Sequence, residues 1–246
     1  MSRRWILLLG LIVLLVSQLT ACAGEPEPTY TATPDLSPME ITTRAGQAML
    51  ALESLHFTLE REGALVYLDA DRLLAFKHAE GAFKLPDKMR AVVHVITAFT
   101  PIDIGMVILG SDQYITDPIT GKWGNLPPEW GQFNLAVMFA PETGLQRLLQ
   151  DGLSDLELID SAEIDNQRHY HLTARASGER MSAMTLGFIG QGNAELDVWV
   201  GAEDFYVRRL QIVEPETDAT DPTTWNFTFS KLGEPVEIKA PPLPNS

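Results

Sequence analysis

Cysteine is almost missing from this chain: of 246 residues only Cys22 carries a thiol. One thiol excludes an internal disulfide and any zinc site built from cysteine pairs. Positive charge is scarce too, with 18 Lys and Arg against 33 Asp and Glu and a formal net charge of −15. Binding nucleic acid depends on cations that neutralise phosphates, so no nucleic-acid partner is expected. A broad electrostatic hold on anionic headgroups is unfavourable for the same reason. Local catalytic signatures are lacking as well. There is no Gly-x-Ser-x-Gly elbow, no phosphate-binding glycine loop and no His-Glu-x-x-His. Gly187, Gly190 and Gly192 have the wrong spacing for a dinucleotide loop. Asp69-Ala70-Asp71 opens like a calcium loop but lacks its later oxygen ligands. No nucleophile and base can be paired, and no catalytic residue, metal or cofactor is implied.

Nor does any apolar run reach the ~20 residues of a bilayer-spanning helix. Trp5 to Val16 is shorter, and behind Arg3 and Arg4 it reads as the core of an export signal. Leu19-Thr20-Ala21-Cys22 follows, the pattern that bacterial lipoprotein signal peptidase cuts before. Residues 1–21 are therefore expected to be removed and Cys22 to be diacylated, anchoring the chain outside the cytoplasm at the cell membrane. Residues 22–36, rich in Pro, Thr and Glu, cannot pack a core and read as a tether. Extended at ~3.1 Å per residue, the tether reaches roughly 35–45 Å. Residues 37–246 suffice for a single domain that folds on its apolar core alone.

That domain opens with a capping box, Ser37-Pro38-Met39-Glu40, with Glu40 reaching back to the cap. Ile41, Ala45, Ala48, Met49, Leu52 and Leu55 fall at helical spacing and predict one amphipathic helix. From His56 the period drops to two, and strands are predicted at 74–84, 89–97, 102–109 and 113–116. A turn-rich corner follows at Asp117 to Trp123. Pro141 opens a second helix, 141–150, that presents Leu145, Leu148 and Leu149. Residues 156–159 and 169–174 suggest a hairpin, and 178–190 a Met-rich third helix containing Met181 and Met184. Strands at 194–200, 206–213 and 225–229 close the chain. Many strands with short turns imply an antiparallel sheet, hence an α+β layer fold with helices on one face.

His169 and His171 alternate on one strand, a spacing that serves either a metal pair or a solvent-facing polar row on an edge strand. His56, His78 and His94 are lone strand histidines, expected to be satisfied by neighbours. The positive signal is apolar content on both sides of several elements. In 89–97, Val92 and Ile96 share one face while Ala91, Val93 and Val95 share the other, and Leu135 to Phe139 is apolar without clear period. Packed core explains each residue singly; together they allow an apolar cavity between bent sheet and helices.

Several strings now take on a familiar order: Leu85-Pro86-Asp87-Lys88-Met89-Arg90, Tyr114 to Trp123, Phe139-Ala140-Pro141-Glu142-Thr143-Gly144-Leu145, and Gly233-Glu234-Pro235-Val236-Glu237-Ile238. With the lipobox and tether they resemble the mycobacterial LppX/LprAFG lipoproteins. The resemblance implies a LolA/LolB-like fold, a curved antiparallel half-barrel whose concave face is covered by helices. It also implies a carrier of lipid or lipoglycan acyl chains across the envelope. Only Cys22 transfers as a defined position. Expected cavity walls are Val93, Val95, Ile104, Met106 and Ile108, with Leu145, Leu148, Leu149, Met181 and Met184 as roof. The expected partners are the lipid ligand, the membrane through Cys22 and a membrane transporter, with the protein a monomer. The rival readings are an envelope sensor of the RseB type, which binds a partner protein, and a surface scaffold with a closed core.

Overall fold

The computed structural model describes residues 36–69, 71–98, 100–126, 135–190 and 192–243. The expected leader, Cys22 and nearly all of the tether lie outside the described residues. Helix α1 (Pro38–Leu50) starts at Ser37, whose Oγ accepts from the Glu40 amide at 3.3 Å. Pro38 takes a first-turn position where no amide is needed. The Glu40 carboxylate does not reach back to the cap; it accepts from Arg44 one turn on, at 3.1 Å. The helix is also shorter than its apolar spacing suggests. It ends at Leu50, and Leu55 already belongs to strand β1 (Ser54–Glu62). Leu55 fits the helical period of the residues before it and the alternation of those after, so spacing alone could not place the boundary.

The chain then runs through β2 (Ala75–Lys84), β3 (Lys88–Ile96), β4 (Pro101–Leu109), β5 (Asp112–Thr116) and β6 (Trp123–Asn125). After a crossover come β7 (Ser154–Ile164), β8 (Gln167–Ala176), β9 (Ala194–Gly201), β10 (Val207–Glu214) and β11 (Thr223–Ser230). They form one open 11-stranded sheet, ordered β6-β5-β4-β3-β2-β1-β11-β10-β9-β8-β7. Every pairing is antiparallel. The sheet is thus two meanders joined where the first strand meets the last, with Phe57 opposite Phe229.

This order explains the roof. β6 and β7 are the two outermost strands, so the chain between them must cross the whole sheet. That crossover contains a 3-10 helix (Leu135–Phe139) and helix α2 (Leu145–Arg147), which continues as a π-helical turn (Leu148–Gly152). The predicted second helix therefore starts later than Pro141, because residues 141–143 form a turn closed by the Gly144 amide on the Ala140 carbonyl at 2.8 Å. Helix α3 (Gly178–Thr185) fills the link between β8 and β9. It stops short of Gly190 because the Thr185 hydroxyl donates within the turn and accepts the Ile189 amide at 2.9 Å, and Leu186 adopts a left-handed conformation.

Candidate functional site

Alternation within β3 and β4 places one row of side chains under the helices. Val93 faces Ile104 across the ladder, and Ala91 faces Met106. Val93, Val95, Ile104, Met106 and Ile108 thus share the inner face. Leu145, Leu148 and Leu149 come down from α2 and its π turn, and Met181 and Met184 from α3. The structure brings all ten into one apolar cluster in which none is more than 5% exposed.

Sequence reasoning missed the aromatic seam that runs through this cluster. Phe57, Phe83 and Phe139 succeed one another at 4.7 and 4.8 Å between ring centres, and Phe139 meets Phe229 at 6.0 Å. Further along, Phe76, Phe188 and Trp225 form a second group at 4.9–5.7 Å. The signal was present in Trp225-Asn226-Phe227-Thr228-Phe229, where three aromatic side chains alternate onto one face.

The helices are held at two places, one on the sheet and one on each other. Glu214, at the end of β10 and 2% exposed, accepts from the Trp225 indole at 2.7 Å and from the Gly190 amide at 2.8 Å. It therefore ties the loop after α3 to β11. Helices α1 and α2 meet at Gly46, where an added Cβ would stand 2.6 Å from the Gln146 carbonyl oxygen. Where α1 ends, a cavity of about 200 Å³ opens between it, the β2–β3 turn and the crossover. Met49, Leu52, Leu85, Pro86, Phe139 and Gln146 contribute to its wall.

A roomier groove, about 620 Å³, lies on the other face of the sheet. It runs over His56, Thr58, Glu80, Arg90 and Val92 and under the C-terminal segment 235–238. None of the ten wall and roof residues lines it. His78 and His94 stack on this outer face at 3.8 Å, and His94 Nδ1 lies 2.6 Å from Asp103. Burial is the first cause that lowers the pKa of His78, followed by the neighbouring His94 and Lys77.

His169 and His171 do not converge on one site. His169 is 1% exposed with Nδ1 on the Gln167 carbonyl at 2.8 Å. His171 stacks on Trp199 at 4.5 Å, with Nε2 2.7 Å from Asp197. Their strand is β8, one place in from the edge, so this is no edge row. Asp69 accepts the amides of Leu73 and Leu74, closing a turn. Asp117 does likewise for Ile119 and Thr120, and these hydrogen bonds, Thr120 foremost, hold its carboxyl below the usual range. No described helix is long and apolar enough to cross a membrane.

An open antiparallel half-barrel, roofed by the crossover between its own edges, defines a class of lipoprotein folds. LprF from Mycobacterium bovis shares it with a TM-score of 0.65 at 14% identity, over 83% of this chain and 96% of that one. LppX from Mycobacterium tuberculosis shares it at 0.59 and 16%, over 82% and 98%. This chain belongs to the LppX_LprAFG lipoprotein family, whose model matches residues 37–238. The lipoarabinomannan carrier protein LprG of M. tuberculosis is 20% identical over 240 residues, 98% of this chain and 96% of that protein.

Proposed function

We propose that this protein is a lipid-anchored, extracytoplasmic carrier that takes acyl chains of a lipid or lipoglycan between sheet and roof. The observation that carries the reading is the continuous apolar layer between a long sheet and helices too short to stand alone. Isolated helices shorter than ~12–15 residues are marginal in water. The crossover offers a five-residue 3-10 helix and a single α turn running into a π turn, and α3 has eight residues. Their positions depend on packing against the sheet, so they can lift and reseat around a guest. The two methionines of α3 add side chains that adapt to irregular shapes.

Because the ten wall and roof residues are buried, loading requires the roof to lift. The driving force is partition. Burying a methylene is worth about 0.8 kcal/mol against water, but a bilayer supplies nearly the same, so transfer between membrane and protein is close to balanced. A balanced exchange permits both loading and delivery. No covalent step is needed. The name of LprG, a lipoarabinomannan carrier, supports a lipoglycan as one cargo class.

Mass spectrometry of the purified full-length chain tests the reading twice over. Organic extracts are expected to contain acyl lipid in stoichiometric amount, and the peptide beginning at Cys22 to carry a diacylglyceryl group that a Cys22→Ser chain lacks. A folded protein that yields no lipid and takes up no fluorescent fatty-acyl probe overturns the carrier function and leaves a scaffold.

A further inference from the structure

We infer that the end of the sheet that carries α3 is a docking surface for a bilayer of neutral or zwitterionic lipid. Such a contact is separate from the carrier function, because it concerns the outside of the protein and not its interior. The strand pairings put the β1–β2 loop, the end of β3, the β5–β6 corner, the β10–β11 loop and α3 at one end of the sheet. Large apolar side chains are exposed on four of these five. Leu65 and Leu73 stand on the first loop, Ile96 at the end of β3, Ile119 at the corner and Leu186 after α3. The turns at the opposite end, β2–β3, β4–β5, β7–β8 and β9–β10, expose Asp87, Ser111, Asp165, Asn166 and Glu203 instead. A single exposed leucine is ordinary; a set gathered at one end marks an interaction site.

Three of these side chains are held out by construction. Ile119 is 92% exposed at the tip of a turn closed on Asp117, whose Oδ1 accepts from the amides of Ile119 and Thr120 and from the Thr120 hydroxyl. The Gly121 amide meets the Asp117 carbonyl at 2.8 Å, and the Asp117 amide meets the Lys122 carbonyl at 2.9 Å. Asp69 closes a turn beneath Leu73 in the same way, accepting its amide and that of Leu74, and Leu73 is 60% exposed. Leu186 takes a left-handed conformation at the end of α3, where glycine or asparagine is usual, yet its aliphatic side chain is half exposed. Tips on separate turns, apolar at the apex and hydrogen-bonded at the base, suit a deformable apolar medium. A folded partner would need one contiguous apolar core to meet. Exposed carboxylates share this end, among them Asp71, Glu216 and Asp218. They repel anionic headgroups, so the surface that fits is neutral or zwitterionic. An expected tether of roughly 35–45 Å outreaches a nine-residue strand of about 30 Å, so the anchored domain is free to set this end down.

The test is photolabelling of the full-length chain in phosphatidylcholine vesicles whose acyl chains carry a diazirine, with adducts located by peptide mass spectrometry. Adducts are expected on Leu73, Ile119 and Leu186 at about tenfold the yield on Leu50 and Ile159, which are comparably exposed but lie on α1 and β7. In a chain with Leu73→Ser, Ile119→Ser and Leu186→Asn, the adducts left on Leu65 should fall several-fold. All three sites are exposed, and the wild-type map stands alone if this variant misfolds. Replacing phosphatidylcholine by phosphatidylglycerol at low salt should also lower the tip adducts several-fold. Equal yield on both lipids overturns the choice of headgroup. Tip adducts no more frequent than those on Leu50 and Ile159 overturn the docking surface. Adducts on Met181 and Met184 without adducts on the tips overturn it too, and leave the carrier function standing. Labelled tips over an unlabelled interior support the docking surface and count against the carrier function.

Discussion

The Trp225 indole donates to the Glu214 carboxylate at 2.7 Å, with both residues buried. The other oxygen of Glu214 takes the Gly190 amide. Glu214→Ala leaves the buried indole and the half-buried Gly190 amide unmet, at about 1–3 kcal/mol for a fully buried group. The expected loss in urea unfolding is about 2–5 kcal/mol. Glu214→Gln keeps one acceptor and turns its NH2 towards a donor, so it should fall between wild type and Ala. Equal stability of all three chains would show that the loop after α3 is not fastened through this group.

Gly46 is the contact point between α1 and α2. In a helix interior, Gly to Ala normally stabilises by up to about 1 kcal/mol. Here the new Cβ meets the Gln146 carbonyl oxygen at 2.6 Å and Gln150 Cγ at 2.8 Å. Overpacking typically costs about 1–3 kcal/mol, which outweighs the propensity gain. Gly46→Ala is therefore expected to lower the urea midpoint. A higher midpoint would mean that α1 and α2 separate without penalty.

His78 makes stability depend on pH. Its folded pKa lies below the ordinary value of about 6.5, chiefly through burial, then His94 and Lys77, with Glu60 and Glu80 opposing. In the window below that ordinary value the unfolded chain binds more protons at this site than the folded one. Stability is then complete above it and declines as pH falls through the folded pKa. The drop in unfolding midpoint from pH 7.5 to 5.5 should be larger for wild type than for His78→Phe. Identical drops would remove His78 from the account.

Strands were legible wherever alternation was strict. Ile102, Ile104, Met106 and Ile108 announce β4 and its buried face because the pleat leaves one face to the core. The helices were legible only at their starts. Ser37 and Pro38 mark the beginning of α1, but Leu55 continues its spacing into a strand. α2 and α3 are bounded by bonds between residues that the fold itself brings close, such as Gln146 to Phe139 and Thr185 to Ile189. That Val93, Val95, Ile104, Met106, Ile108, Leu145, Leu148, Leu149, Met181 and Met184 share one buried apolar cluster was readable because an inward row needs only period and polarity. Gln146 was not readable: a glutamine in an apolar helix looks like a surface residue until the Phe139 and Ala140 carbonyls that it meets are placed.

If the roof is the moving part, its side chains should govern how fast a guest enters and leaves. Met181 and Met184 are fully buried on α3, in contact with the cluster that includes the sheet wall. Leucine has nearly the volume of methionine but one fewer rotatable bond and a branched end, so it fits one shape well and others poorly. Exchanging both to Leu is a volume-conserving change, with an expected stability difference under about 1.5 kcal/mol. The effect should appear instead in kinetics, as slower release of a fluorescent fatty-acyl probe to phosphatidylcholine vesicles, by several-fold at unchanged fold. Release at the wild-type rate would place the moving element elsewhere, in α1 or the crossover, because α3 would then have been stiffened without consequence.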